Sequence, residues 1–164
     1  MENRSIPEEI MPATFSCVGM IIVSWTFVEN ALDAWTAVAF QDHNGETIER
    51  ELPQQFGRKI TFLKKCFRRL PGLAPFRDEA IPFLERAKVL SNVRNYVAHG
   101  TLSHFDPADA SYIFVKIGLA DDKKQHQFGE LRILGTELVS VGNEISDMAR
   151  KGQKLTFRLM EAGE

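Results

Sequence analysis

The sequence predicts a mainly α fold of four long helices, with a β-hairpin inserted between the third and the last. Three observations carry that expectation. Apolar residues recur at three- and four-residue spacing along about 13–41, 54–70, 76–99 and 136–159. The period shortens to two, with β-branched and aromatic residues, over about 111–134. Turn-forming residues mark the joints, at His43-Asn44-Gly45, at Pro71-Gly72 with Pro75, and at Gly100. With 164 residues and 44% hydrophobic composition, the chain 1–164 reads as one globular domain with enough material for a core.

Pro12 suits the first turn of the first helix. Phe15, Val18, Ile22, Trp25, Leu32 and Thr36 share a seam, which Ile21, Val28 and Trp35 widen. Between Gly19 and Val28 the helix is apolar nearly all round, so it is expected to be the most buried. Glu29 interrupts the seam seven residues after Ile22, and a carboxylate there needs a cation or donors. His43-Asn44-Gly45 marks a turn. The second helix puts Phe56, Ile60, Leu63, Phe67 and Leu70 on one stripe. Its other face carries Arg58, Lys59, Lys64, Lys65, Arg68 and Arg69, a single-sign patch suited to a phosphate backbone or, more plainly, to solvent. Pro71-Gly72 and Pro75 turn the chain into the third helix, where Pro82 favours a start near Ala80. Tyr112–Ile117 and Phe128–Leu134 pair across the polar turn Asp121–Lys124. In the last helix Leu138, Val141, Ile145, Met148, Leu155 and Leu159 form the stripe, and Gly152 is a candidate break.

Net charge is −2, so any nucleic-acid surface must be local. Cys17 and Cys66 read as buried free thiols of a cytoplasmic protein. The apolar run Cys17–Trp25 is too short to span a bilayer, and the acidic N-terminus is no signal peptide, so no membrane partner is expected. No His, Cys or Asp pair has metal-ligand spacing, His43 and His126 sit in turn-like segments, and neither a glycine-rich phosphate loop nor a Gly-x-Ser-x-Gly elbow is present. Neither a metal nor a cofactor is expected.

The best polar constellation closes the third helix, in Ser91-Asn92-Val93-Arg94-Asn95-Tyr96-Val97-Ala98-His99-Gly100. Asn95 and His99 are four apart and share a face, with Arg94 one step round. Arg94 also falls in register with Leu84, Ala87, Leu90 and Val97, so a permanent cation leans toward an apolar stripe and calls for an acidic partner or an anionic ligand. Glu29, the other charge on an apolar face, is its expected partner. Gly100 is expected to stop the helix in a left-handed conformation.

Arg94-Asn95, three further residues and His99 at a helix end resemble the R-x4–6-H signature of the HEPN domain superfamily, whose members are small helical bundles, many of them metal-independent RNases of toxin–antitoxin, abortive-infection and CRISPR systems. The resemblance implies a four-helix up-and-down bundle and a homodimer in which two copies of the motif face one cleft. It makes Arg94 and His99 catalytic, with Asn95 orienting the imidazole or donating to phosphate. RNA would be cut to 2′,3′-cyclic phosphate and 5′-hydroxyl ends. Tyr96, His104 and Glu29 would support the site, Glu29 matching the family's acidic position only loosely. An antitoxin protein is a further implied partner, and phage defence an implied setting.

Two features depart from the family. The inserted hairpin is not needed by a minimal bundle. Members paired with a nucleotidyltransferase often carry Tyr two residues after the His, where this chain has Thr101. A second reading uses the same residues without chemistry: Arg94, Glu29 and Asn95 form an ion-pair network that fixes helix register, His99 caps the helix end, and the dimer binds nucleotide, RNA or a partner protein in the same cleft.

Overall fold

The computed structural model describes residues 6–119 and 126–163. Within them the chain is mainly helical, with α1 (Met11–Gln41), α2 (Phe56–Arg69), α3 (Arg77–His99) and α4 (Gly135–Gly163). Short 3-10 turns at Gly45–Thr47 and Pro71–Phe76 lie between the first three helices. Between α3 and α4 the chain forms β1 (Thr101–Asp106), β2 (Ser111–Leu119) and β3 (His126–Leu134), an antiparallel sheet in the order β1-β2-β3. The expected turn at Asp121–Lys124 lies outside the described residues. The chain divides into two compact units, each built from two separated stretches: Met1–Val23 with Ser91–Glu144, and Ser24–Leu90 with Ile145–Glu164.

The second unit packs around two tryptophans. Trp35 meets Phe83 at 4.8 Å between ring centroids and Phe67 edge-on at 6.1 Å, and its indole N–H donates to Thr156 Oγ1 at 2.9 Å. The expected stripe of α2 is buried at Ile60, Leu63 and Phe67. Burial, with the Glu49 carboxylate nearby, pushes the Cys66 thiol up to about 12, and both cysteines are free and buried. Gly152 does not break α4. It is a contact point, since a Cβ there would stand 3.0 Å from Ala31 Cβ and 3.2 Å from the Phe83 ring. Helix α3 begins at Arg77, earlier than Ala80, so Pro82 lies inside it rather than in its first turn. Pro82 and Asp78 are both exposed, so the Asp78 carbonyl that proline leaves without an N–H partner is on the solvated side.

In α1 the buried line runs through Cys17, Ile21, Trp25, Val28, Leu32 and Trp35. Phe15 and Ile22, expected on the seam, are 58% and 39% exposed, as are Val23 and Phe27 to similar degrees. A helix apolar on nearly every side gives no contrast from which its inner face can be read. The whole helix of 31 residues, unlike the run Cys17–Trp25, is long and apolar enough by length and composition to cross a membrane.

The sheet belongs to the first unit and has one strand more than the expected hairpin. β1 pairs with β2 through Leu102↔Phe114, His104↔Ile113 and Phe105↔Tyr112, leaving Ser103 as a bulge. That extra residue places Leu102 and Phe105, three apart, on one face, which hides the strand from a period-two reading. Tyr112 bonds Thr14 of α1 hydroxyl to hydroxyl at 2.8 Å. Cys17 donates to the Leu138 carbonyl at 3.5 Å, and α1 nests against Gly142 of α4, where a Cβ would lie 2.5 Å from Met20 Cε. At the β1–β2 turn Ala110 takes φ 57°, and its carbonyl accepts from Gly135 N–H at 2.9 Å. Arg132 of β3 reaches Asp106 at 2.7 Å and Asp109 at 2.8 Å across the sheet.

Two outcomes follow. Gly152→Leu forces a side chain between Ala31 and Phe83 and should lower unfolding free energy in urea by about 2 kcal/mol; an unchanged midpoint and slope would show that α4 has room there. Hydrogen bonding from Arg132 holds Asp106 below the ordinary aspartate value of 3.8, and bonds from Ser111 and Arg132 do the same for Asp109. Carboxyls depressed in the folded state stabilise it above that ordinary value, and the contribution is lost as pH falls below it through the folded values. Between about pH 4 and about pH 2, the thermal midpoint of the native chain should therefore fall further than that of Arg132→Gln. Equal acid losses in the two proteins would remove this triad as the cause.

Candidate functional site

The last turns of α3 carry the site. Leu84, Ala87, Leu90 and Val97 are buried as their register demands, and Arg94, in the same register, is half-buried. Arg94 Nη1 donates to Asn95 Oδ1 at 3.1 Å and stands 3.4 Å from His99 Nε2. Guanidinium nitrogens only donate, so His99 Nε2 faces it as an acceptor, which leaves the ring proton on Nδ1 in the neutral tautomer. His99 is exposed. A fixed cation, an amide and an open imidazole thus share one patch at a helix end, the three groups the sequence singles out.

Two close approaches fix that end on the sheet. A Cβ on Gly100 would lie 2.5 Å from the Tyr96 carbonyl oxygen and 3.1 Å from the Val115 carbonyl oxygen of β2. Gly100 is not left-handed, because no described glycine has positive φ; its N–H still bonds the Tyr96 carbonyl at 2.9 Å. The missing side chain serves proximity rather than a turn. Gly129 of β3 is the second point, where a Cβ would stand 2.4 Å from Tyr96 Oη. Tyr96 therefore does not join Arg94 and His99; its ring is seated on the sheet. Neither Gly129 nor Val115 was marked by the sequence, and a glycine in mid-strand is the one local signal for such an approach.

The remaining expected residues belong to other elements. His104 lies on β1 opposite Ile113, with Nδ1 3.3 Å from the Ser103 hydroxyl. Glu29 is half-buried in the second unit, in a recess with Asp33, Gln54, Phe56 and Lys59. Arg94 is in the first unit, so the expected Glu29–Arg94 pair is a feature of neither unit by itself. The cations of α2 are also in the second unit, and most are ion-paired. Lys59 meets Asp33, Arg58 and Lys65 meet Glu49 at 3.2 and 3.6 Å, and Lys64 and Arg68 meet Glu85 at 3.1 and 4.0 Å. Arg69 is exposed on the same helix. Among the described residues no group of three His, Cys, Asp or Glu is placed to hold a metal ion.

Gly100→Ala tests the anchoring. At a glycine without positive φ this change ordinarily stabilises by limiting the unfolded chain. Here the methyl meets two backbone oxygens, so stability should instead drop by about 2 kcal/mol in urea; a gain would contradict the close approach. No family model, no curated protein and no solved structure matches this chain.

Proposed function

We propose that the protein is a HEPN-like metal-independent endoribonuclease, a helical bundle acting as a cytoplasmic homodimer, in a toxin–antitoxin or phage-defence setting. The observation that carries the reading is the exposed His99 imidazole 3.4 Å from the Arg94 guanidinium at the end of α3. Histidine titrates near neutrality and can pass a proton in either direction, while a guanidinium matches two phosphate oxygens and holds its charge. In the reaction, His99 takes the proton of the RNA 2′-hydroxyl as that oxygen attacks phosphorus. The phosphorus–O5′ bond breaks, and the second copy's imidazole gives a proton to the leaving 5′-oxygen. The products are a 2′,3′-cyclic phosphate and a 5′-hydroxyl, which balances without any co-reactant. Arg94 meets the charge that builds on the non-bridging oxygens, and Asn95 holds the guanidinium in place through its 3.1 Å bond.

The paired cations of α2 do not argue against an RNA path. Each pair keeps at least one partner well exposed, and surface pairs of this kind contribute at most about 1 kcal/mol, so phosphates can compete with Glu49 and Glu85 for Arg58, Lys64, Lys65 and Arg68. Such binding would weaken steeply with salt.

Incubation of the purified protein with single-stranded RNA in the presence of a chelator should give cyclic-phosphate ends. His99→Ala should reduce the rate about 10²–10⁴-fold, and Arg94→Ala about 10²–10³-fold. Undiminished cleavage by His99→Ala would overturn the mechanism. Binding of RNA without cleavage by the native protein would replace it with the non-catalytic reading.

A further inference from the structure

The two edges of the sheet differ. β1 is short, carries the Ser103 bulge, and is followed directly by Pro107, all devices that discourage a further strand. β3 has none of them. It runs nine residues, pairs with β2 without a register shift, and contains neither lysine nor proline. Among the described residues no strand pairs with its other side.

The direction of its free groups can be deduced. Gly135 N–H bonds Ala110 on the inner side, whereas Leu134 N–H turns outward to Glu137 Oε2 at 3.2 Å. Main-chain groups alternate along a strand, so Arg132, Glu130 and Phe128 also present N–H and C=O to the open edge. Their side chains stand on one face of the sheet, and all are exposed, Phe128 to 73% and Leu134 to 37%.

This strand is complementary to itself. Set antiparallel against its own copy about a two-fold axis at Leu131, Glu130 falls opposite the copy's residue 132, an arginine, and Arg132 opposite its residue 130, a glutamate. In the same register Phe128 falls opposite a leucine and Leu134 opposite a phenylalanine. No other centre within the strand matches both charges and both apolar residues. We infer that β3 is a homodimer interface, joining two copies of this chain edge to edge into one six-stranded sheet. About six main-chain hydrogen bonds close the junction. Two cross-strand ion pairs and two apolar pairs set its register. Arg132 can serve both its own aspartates and the copy's Glu130, because a guanidinium offers five N–H donors.

The pairing stands on the strand alone and does not need the ribonuclease reading, but it bears on it. A two-fold axis normal to the sheet keeps the α3 ends of both copies on one side. Gly129, under the Tyr96 ring, is two residues from the axis, so the two Gly129 sites stand about 14 Å apart. The two Arg94–His99 patches then flank a single surface.

Sedimentation of the full chain between about 10 and about 200 μM tests the interface, and it is blind to RNA cleavage. The native chain should be a dimer at the upper concentration. Glu130→Pro removes an outward N–H without touching the β2 ladder, so it should be monomeric with unchanged circular dichroism. Glu130→Arg sets arginine against arginine, and Arg132→Glu sets acid against acid. Each should weaken the dimer about tenfold, and mixing the two variants should restore it. A native chain that stays monomeric, or a folded Glu130→Pro that stays dimeric, overturns the proposal. Should Glu130→Pro fail to fold, the mixture decides: recovery supports the pairing and no recovery overturns it.

Discussion

The close seating of the α3 terminus on the sheet is the constraint from which the rest of the candidate site follows. Gly100 lies against a β2 carbonyl, and Tyr96 lies over a β3 glycine. Both contacts need an absent side chain, so the helix end sits nearer the strands than any other residue would permit. With that end fixed, Arg94, Asn95 and His99 lose the freedom to fray that a final helical turn ordinarily has. The third attachment is polar: the Thr14–Tyr112 hydroxyl pair ties α1 to the same sheet.

Charge in this protein is arranged locally. The α2 cations that make a single-sign run in the sequence meet Asp33, Glu49 and Glu85, which come from other segments of the same unit. A run of like charge along one helix therefore says little about the field around it, because tertiary neighbours supply the opposite sign. Arg94 is half-buried and donates to the Asn95 amide oxygen, with the exposed His99 ring beside it, so a planar cation, an amide and an imidazole stand together at one helix end.

Much of this was legible in the chain. The four helices, the stripes of α2 and α4, and the Arg94-Asn95-His99 grouping were all encoded in spacing, because each depends on local periodicity and strong contrast between faces. The misses have physical causes. α1 lacks contrast, so its spacing puts Phe15 and Ile22 on the inner seam although both are exposed. β1 was hidden because the bulge at Ser103 breaks alternation. Gly152 and Gly100 look like conformational devices in the sequence, whereas both mark close packing. Glycine has two uses, and sequence alone does not distinguish a torsion from a contact.

The layout of the two units along the chain sets a schedule for biosynthesis. Each is assembled from remote stretches, the first needing the opening of α1 together with residues 91–144. A nascent chain emerging from the ribosome therefore cannot complete either unit early. The apolar flank of α1 must wait, exposed, until the strands and the start of α4 have been made. Fastening of the β1–β2 turn is later still than its own sequence, because the carbonyl of Ala110 awaits the amide of Gly135. Until then the opening of the first helix offers apolar surface to solvent.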